Sequence, residues 1–153
     1  MPVRLSLVIP AYNEAGRIGK TLRDCLDYFA RQDYQFEIIV VDDGSQDGTA
    51  QLVRRQFPNV RLISYTPNRG KGYAVKQGML EAQGRFRLFY DADGSTPISE
   101  VDKLWGPLSA GADVVIGSRS SPGSQVELHQ RPLREFMGRT FNRLVRLFTV
   151  HGI

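Results

Sequence analysis

Two carboxylates lie one residue apart where an apolar run of the sequence ends. Residues 86–90 are rich in aromatic side chains and predict a buried strand, and Asp91 and Asp93 follow at once. Ligands of open α/β sheets bind beyond the carboxyl ends of the strands, so both carboxylates are expected to face a crevice. Hard oxygen ligands there suit Mg²⁺ or Mn²⁺ holding a diphosphate. A surface turn with two solvated acids is the alternative interpretation of this pattern.

Polar clusters also follow the first two predicted strands. Residues 10–14 close the first strand, and residues 42–47 close the second. Because parallel strands point the same way, these clusters are expected to meet the two carboxylates at one edge of the sheet. An acid at such a turn commonly accepts a hydrogen bond from a ribose hydroxyl or a base N–H, which suits Asp42 or Asp43. Local capping within the turn is compatible with that role.

A basic loop, residues 68–72, precedes the third predicted helix. It reads NRGKG and brings Arg69 and Lys71 next to flexible glycine backbone, so the loop is able to meet phosphates. The loop is not the Walker arrangement of a P-loop. The first strand is not followed by a Gly-x-Gly-x-x-Gly motif, which counts against a dinucleotide-dependent oxidoreductase.

The elements that must position these residues alternate along the chain. Strands are predicted at residues 5–9, 36–41, 60–65, 86–90 and 113–116. Helices are predicted between them, with Asn13 as the cap of the first and with later ones at residues 73–82 and 100–108. This alternation indicates an α/β fold with a mostly parallel sheet and helices on both faces.

The composition narrows the class of protein. At 153 residues with 41% hydrophobic side chains, the chain fits one domain with a substantial core. Its net charge of +4 is too mild to indicate a nucleic-acid partner. Cys25 is the single cysteine, so an internal disulfide is excluded and a reducing compartment is expected. The sequence contains neither a signal peptide nor a run of about 18 apolar residues, so a membrane-spanning segment is not expected.

Five motifs occur in order along the chain. They are VIPAYNE at residues 8–14, VVDDGS at 40–45, NRGKG at 68–72, DAD at 91–93 and GSR at 117–119. Together they resemble the motifs of family 2 glycosyltransferases with the GT-A (Rossmann-like) fold. Within that family the chain looks most like dolichyl-phosphate, or polyprenyl-phosphate, beta-glucosyltransferases. The related mannosyl enzymes carry a glutamine where Ser95 stands, and this departure favours glucose over mannose.

The resemblance implies which side chains hold the nucleotide. The nucleotide pocket would be lined by Pro10, Tyr12 and Glu14. Asp43, alone or together with Asp42, would bind the uridine.

The resemblance also implies which side chains meet the phosphates and the metal. Asp93 would be the principal ligand of Mg²⁺ or Mn²⁺, and Asp91 would lie near the ribose and the sugar or metal. Lys71 and Arg119 would face phosphates, either of the donor or of the acceptor. A solvated arginine on a loop is the alternative interpretation of Arg119.

Residues 131–153 predict a basic amphipathic helix. At about 100° per residue, its apolar side chains fall within an arc of about 140° and its arginines lie outside that arc. Such a helix can lie in a membrane interface, with Arg131 or Arg134 on a lipid phosphate. Alternatively, its apolar face covers the sheet. We therefore expect a nucleotide-sugar-binding core at residues 1–130 and the start of an acceptor region at residues 131–153. Similar enzymes continue this region beyond Ile153, so we expect it to be cut short here.

Taken together, the resemblance implies an inverting, metal-dependent hexosyltransferase that moves glucose from UDP-glucose to dolichyl or polyprenyl phosphate. An acceptor phosphate is already an anion, so its reaction needs positioning and positive charge more than a general base. A mannosyltransferase using GDP-mannose is one alternative, and a truncated, non-catalytic nucleotide-sugar-binding module is another. The expected partners are a nucleotide sugar, a polyprenyl phosphate lipid and a membrane surface at its cytoplasmic face, without nucleic acid.

Overall fold

Residues 2–117 are described by the computed structural model. Its strands are β1 (Leu5–Ala11), β2 (Phe36–Asp42), β3 (Arg61–Ser64) and β4 (Phe86–Phe89). Its helices are α1 (Ile18–Phe29), α2 (Thr49–Gln56), α3 (Lys71–Glu81) and α4 (Asp102–Ser109), the last preceded by a 3₁₀ turn at Ile98–Val101. Arg119, Arg131 and the predicted helix at 131–153 lie outside the described residues. Within residues 2–117, we find no helix that is long and apolar enough to cross a membrane.

The four strands form one parallel sheet in the order β3-β2-β1-β4, with helices on both of its faces. Alternate residues of a strand point to opposite faces. Leu7 and Ile9 of β1 therefore pack in the core that α1 and α2 cover, whereas Val8 packs in the core that α3 covers. Every residue of β1 is buried, because both of its edges are paired and both of its faces are covered. The predicted α/β fold is confirmed.

Apolar side chains at helical spacing fix the first helix against the sheet. They recur every three or four residues and are almost fully buried: Ile18, Leu22, Cys25 and Phe29. Burial raises the pKa of the Cys25 thiol to about 12, and the charge of Asp24 adds to the effect. The thiol therefore stays protonated and serves as core packing.

The start of the first helix differs from the prediction. The helix begins at Ile18, so the expectation that Asn13 caps it is wrong. Asn13 has a φ of 55°, and its Oδ1 accepts a hydrogen bond from the Gln46 backbone N–H at 2.9 Å. A short polar side chain tolerates this left-handed backbone and bonds across to the next turn instead of to a helix end.

The expected fifth strand is also wrong for the described residues. Residues 113–116 have no strand conformation, and Val114 and Ile116 are 76% and 82% exposed. A strand forms only where a neighbour takes up its backbone hydrogen bonds, and none of the described strands pairs with this segment. An apolar pattern alone is therefore insufficient to make a strand there.

One face of β4 is more exposed than expected. Phe86 and Leu88 pack into the core that α1 covers. Arg87 and Phe89 point to the other face, where α3 packs on β1 and β2, and Phe89 is 38% exposed. Phe86 and Leu88 are only partly buried, so the expectation of a buried strand is met in part on one face of β4 and is wrong for the other.

Close packing of α3 on the sheet depends on a glycine. A Cβ atom on Gly78 would lie 2.3 Å from Val8 Cγ1 and 3.0 Å from Val41 Cγ2. We expect Gly78→Ala to lower the free energy of unfolding by about 1–3 kcal/mol, which is the usual cost of overpacking a core. Urea unfolding followed by circular dichroism measures the change.

Gly72→Ala is the matched control for that substitution. Gly72 lies in the same helix, but an added Cβ would meet nothing within 4 Å. Because alanine is the better helix former, we expect stability to stay the same or rise by up to about 1 kcal/mol. Equal stabilities for the Gly72 and Gly78 variants would contradict the packing argument.

Candidate functional site

The polar turns meet at the carboxyl ends of the strands, as predicted for a parallel sheet. We call this region the C-terminal edge, and it comprises residues 12–17, 43–49, 65–71 and 90–97. In each hydrogen bond that joins its first two turns, a backbone N–H of one turn donates to a side-chain oxygen of the other. The pairs, all at 2.9 Å, are Asn13 to Ser45, Glu14 to Thr49, Ala15 to Asp47 and Gln46 to Asn13. These two turns are therefore fixed to each other.

Asp42 ends β2 with a buried carboxylate that is only partly paired. Its residue exposure is 2%, and its Oδ2 accepts a hydrogen bond from Ser64 Oγ at 2.9 Å. Its Oδ1 is buried and has no hydrogen-bond partner among the described residues. Because a buried acceptor without a donor is costly, this oxygen would be stabilised by an added N–H or O–H donor.

Asp43 fixes the basic loop to the sheet. Its carboxylate is buried, and its two oxygens accept hydrogen bonds from the backbone N–H groups of Arg69 and Gly70, both at 2.8 Å. The Asn68 side chain donates to the Asp43 carbonyl at 3.0 Å. Gly44 permits this approach, since an added Cβ there would lie 3.0 Å from the Asn68 backbone nitrogen. The position of Lys71, at the start of α3, therefore depends on Asp43.

Lys71 and Asp91 form an ion pair at the C-terminal edge. Lys71 Nζ donates to Asp91 Oδ1 at 2.6 Å and lies 5.1 Å from the centre of the Phe89 ring. The side chains of Lys71 and Asp91 are 63% and 47% exposed. Because an exposed ion pair of this kind contributes little free energy, either partner is free to exchange it for a ligand.

Asp93 is held in its charged form. The Ser95 backbone N–H donates to Asp93 Oδ1 at 2.9 Å, and this bond lowers the pKa of the carboxyl below its usual value. Partial burial opposes the shift, while the Ser95 side chain and the charges of Arg17 and Lys71 reinforce it. Asp93 therefore carries its negative charge at neutral pH.

The donor set fits a hard divalent cation. The described residues contain no group of three or more His, Cys, Asp or Glu side chains that could hold a metal ion. Asp91 and Asp93 instead offer a pair of carboxylates on one turn. Mg²⁺ is typically bound in this way, through one or two carboxylates plus substrate phosphates and water. The residues present are thus suited to a metal that arrives with a phosphorylated ligand.

The remaining predicted nucleotide-binding side chains lie on β1 and the turn after it. Pro10 is buried within β1, whereas Tyr12 is 47% exposed. Both oxygens of Glu14 accept hydrogen bonds from the Arg17 guanidinium, at 2.7 and 2.8 Å. Arg17 therefore neutralises the charge of Glu14, a pairing that sequence reasoning did not anticipate. The assignment of these residues to a nucleotide pocket stays a prediction.

Sequence reasoning also missed hydroxyl groups that hold the site together. Thr21 of α1, which is 3% exposed, donates from Oγ1 to the Ala92 carbonyl at 2.8 Å. Ser64 holds Asp42, and Thr49 holds the turn after β1. The only available signal was a polar residue interrupting the apolar face of α1 at Thr21.

Comparisons with known proteins agree with this geometry. The sequence model of glycosyl transferase family 2 matches residues 6–153. The chain is 37% identical over 164 residues to a dolichyl-phosphate beta-glucosyltransferase of Trichomonas vaginalis, and 37% identical over 171 residues to that of Saccharomyces cerevisiae. The alignments cover 99% and 97% of this chain but 49% and 51% of the relatives. The chain therefore spans about half the length of the relatives it matches.

Solved structures with a similar fold include two that hold nucleotides and Mn²⁺. The first is a mannosyltransferase from Pyrobaculum calidifontis in complex with GDP-Man and Mn²⁺, with a TM-score of 0.51 and 33% identity over 61% of this chain and 30% of that one. The second is glucosyl-3-phosphoglycerate synthase from Mycobacterium tuberculosis with Mn²⁺, UDP and glucosyl-3-phosphoglycerate, with a TM-score of 0.55 and 28% identity over 69% of this chain and 39% of that one. With the family match over nearly the whole sequence and a parallel sheet that carries its polar turns at one edge, the chain belongs to glycosyl transferase family 2 and has the GT-A fold.

Proposed function

We propose that the chain is the donor-binding part of an inverting hexosyltransferase that moves glucose from UDP-glucose to a polyprenyl phosphate such as dolichyl phosphate. The observation that carries this proposal is the pair of carboxylates on the turn after β4, with Asp93 ionised and Asp91 bound to Lys71. The choice of glucose and of a lipid phosphate is supported by the names of the relatives that match nearly the whole chain.

The base would be recognised by Asp42. Its Oδ1 is a buried acceptor that has no donor among the described residues. A uracil ring has an N–H that would donate a hydrogen bond to this oxygen. Both oxygens of Asp43 already accept backbone N–H groups, so we assign Asp43 mainly to holding the basic loop. Tyr12 offers an exposed ring on which the base can stack.

The diphosphate would be bound through exchange of the ion pair. Lys71 would leave Asp91 for the diphosphate, which carries more negative charge than a single carboxylate. Asp91 and Asp93 would hold Mg²⁺ or Mn²⁺, whose charge would offset the negative charge that builds on the leaving diphosphate. The UDP and Mn²⁺ bound by the Mycobacterium tuberculosis neighbour support this assignment.

Transfer to a lipid phosphate requires no general base. An acceptor phosphate oxygen would attack the anomeric carbon while the bond from that carbon to the diphosphate oxygen breaks, releasing UDP and inverting the anomeric centre. The protein's contribution is to align the two reactants and to neutralise their negative charges. Arg119 and Arg131 are proposed for the acceptor phosphate. Because such a lipid lies in a bilayer, we propose that the protein acts at a membrane surface, on its cytoplasmic face.

Calorimetric titration of the chain tests donor binding. We expect UDP-glucose to bind at least about tenfold more tightly with Mn²⁺ than with a chelator, because an ion held by Asp91 and Asp93 would offset the repulsion between these carboxylates and the diphosphate. We expect GDP-mannose to bind more weakly than UDP-glucose under both conditions. Absence of any nucleotide-sugar binding would contradict the proposal.

Transfer itself is tested by supplying labelled sugars to vesicles that contain polyprenyl phosphate. Label from UDP-glucose in the lipid fraction would support the proposed reaction. Label from GDP-mannose would favour a mannosyltransferase, the second candidate, which the Pyrobaculum calidifontis neighbour supports. Binding without transfer of either sugar would identify the chain as a nucleotide-sugar-binding module, in keeping with its covering half of its relatives' length.

A further inference from the structure

The buried face of α1 presents one hydroxyl to the turn that carries the two carboxylates. Thr21 is 3% exposed and lies among the apolar side chains that pack this helix on the sheet. Its Oγ1 donates to the Ala92 carbonyl oxygen at 2.8 Å. Ala92 lies between Asp91 and Asp93, so the helix holds the centre of the turn by its backbone.

The same hydroxyl also lies close to Gly94, the residue that follows Asp93. An added Cβ on Gly94 would be only 2.9 Å from Thr21 Oγ1, and Gly94 has a φ of 61°. A residue with a side chain at position 94 would therefore be strained and would push the turn away from the helix. Asp93 thus lies, in sequence, between Ala92 and Gly94, and both of these residues lie close to Thr21.

Backbone hydrogen bonds fix the start of this turn and shape its middle. The Tyr90 N–H donates to the Val8 carbonyl of β1 at 2.9 Å, which holds the turn where it leaves β4. The Gly94 N–H donates to the Asp91 carbonyl at 3.3 Å, and the Ser95 N–H donates to Asp93 Oδ1 at 2.9 Å. Both bonds lie within the turn, so they would move with it. The ion pair of Asp91 with Lys71 is exposed and exchangeable. The buried side chain of Ala92 and the Thr21 hydroxyl therefore hold the middle of the turn against the domain, beyond the point where the Tyr90 N–H holds its start.

We propose that Thr21 is a positioning residue for the metal-binding carboxylates, acting through the Ala92 carbonyl and the close approach of Gly94. This inference rests on the proposed function, because it concerns the metal that accompanies the nucleotide sugar. Without the hydroxyl, the buried Ala92 carbonyl loses its donor and the turn shifts to find another. Groups that orient metal ligands from behind typically change metal affinity by about 10- to 100-fold.

The test compares Thr21→Val, which keeps the shape of the side chain, with Thr21→Ser, which keeps the hydroxyl. Electron paramagnetic resonance of free Mn²⁺ measures the metal affinity of the full chain saturated with UDP. We expect Thr21→Val to weaken Mn²⁺ binding by about 10- to 100-fold and Thr21→Ser to restore most of the loss. UDP affinity measured with a chelator should be equal in the wild-type protein, Thr21→Val and Thr21→Ser.

Ser6→Ala separates positioning from general destabilisation. Ser6 is also fully buried, and its hydroxyl bonds Glu37 and the Gly84 N–H near the start of the strands. Its loss should lower thermal stability and leave Mn²⁺ affinity unchanged. In the metal-free protein, hydrogen exchange of the Ser95 amide should speed up in Thr21→Val and not in Ser6→Ala, since that amide reports the order of the turn.

Gly94→Ala provides a second variant in case Thr21→Val does not fold. It leaves the hydroxyl in place but displaces the turn, so it should weaken Mn²⁺ binding to a similar extent. Mn²⁺ affinity that is equal to wild type in the folded variants at position 21 or 94 would overturn the positioning role while leaving the proposed function intact. A wild-type protein that binds UDP but no Mn²⁺ would overturn both.

Discussion

Replacing Asp93 with asparagine is expected to remove most of the Mn²⁺-dependent affinity for UDP-glucose. Asparagine keeps the size of the side chain and an oxygen that can accept the Ser95 N–H, but it lacks the charge that this bond stabilises. Because the ion would offset the repulsion between the carboxylates and the diphosphate, we expect affinity with Mn²⁺ to fall at least about tenfold, to near the value measured with a chelator. Affinity measured with a chelator should not change. Calorimetry under the two conditions provides both values.

Asp27→Asn is the control for the change in net charge. Asp27 lies on α1 with an exposed side chain, so its substitution removes the same charge away from the turn after β4. We expect its affinity for UDP-glucose to match that of wild type with and without Mn²⁺. A similar loss in both variants would attribute the effect to long-range electrostatics, and full affinity in Asp93→Asn would exclude Asp93 as a metal ligand.

The fold was predictable because its signals are local and its geometry is general. The apolar run of β1 and the helical spacing of the buried side chains of α1 are visible in short stretches of sequence. The alternation of such stretches implies parallel strands, and parallel strands bring the ends of β1, β2 and β4 to one edge. Convergence of the polar turns therefore followed from the order of the elements alone.

The partners of individual side chains were not predictable in the same way. Asp42 and Asp43 are adjacent, and the period of a strand directs neighbouring side chains to opposite sides. One consequently bonds Ser64 on β3, and the other bonds the N–H groups of Arg69 and Gly70. The sequence indicated that an acid was needed at this turn, but only the path of the next loop distinguishes a ligand-binding acid from a loop-holding one.

Elements that depend on a distant neighbour were the other source of error. The apolar residues 113–116 satisfy the pattern of a strand, yet a strand needs a partner, and none of the described strands pairs with them. Asn13 satisfies the pattern of a helix cap, yet its side chain finds the Gln46 N–H across the edge of the sheet. In both cases the local structure depends on whether a distant part of the chain supplies a hydrogen-bond partner, and a short stretch of sequence does not reveal that.

Replacing Asp43 with alanine is expected to give the largest loss of stability at the C-terminal edge. The substitution leaves the Arg69 N–H without its acceptor and leaves the Gly70 N–H only its longer bond to Asn68 Oδ1, at 3.1 Å. Hydrogen bonds to a charged group contribute about 1.5–3 kcal/mol each, and one is lost outright and one in part, so we expect the free energy of unfolding to fall by about 2–4 kcal/mol. That is a substantial fraction of the total for a typical domain. Affinity for UDP-glucose should fall as well, because the loop that positions Lys71 loses its anchor.

Asp47→Ala distinguishes this effect from the loss of any carboxylate that accepts backbone N–H groups. Asp47 also accepts two of them, from Ala15 and Thr49, but its side chain is exposed. Water can replace an exposed acceptor, so we expect a clearly smaller loss of stability than for Asp43→Ala in the same urea titration. Equal losses would show that burial of Asp43 adds nothing. If Asp43→Ala remained as stable as wild type, the basic loop would have to be held by other contacts, and Asp43 would return to the role of a direct uridine ligand.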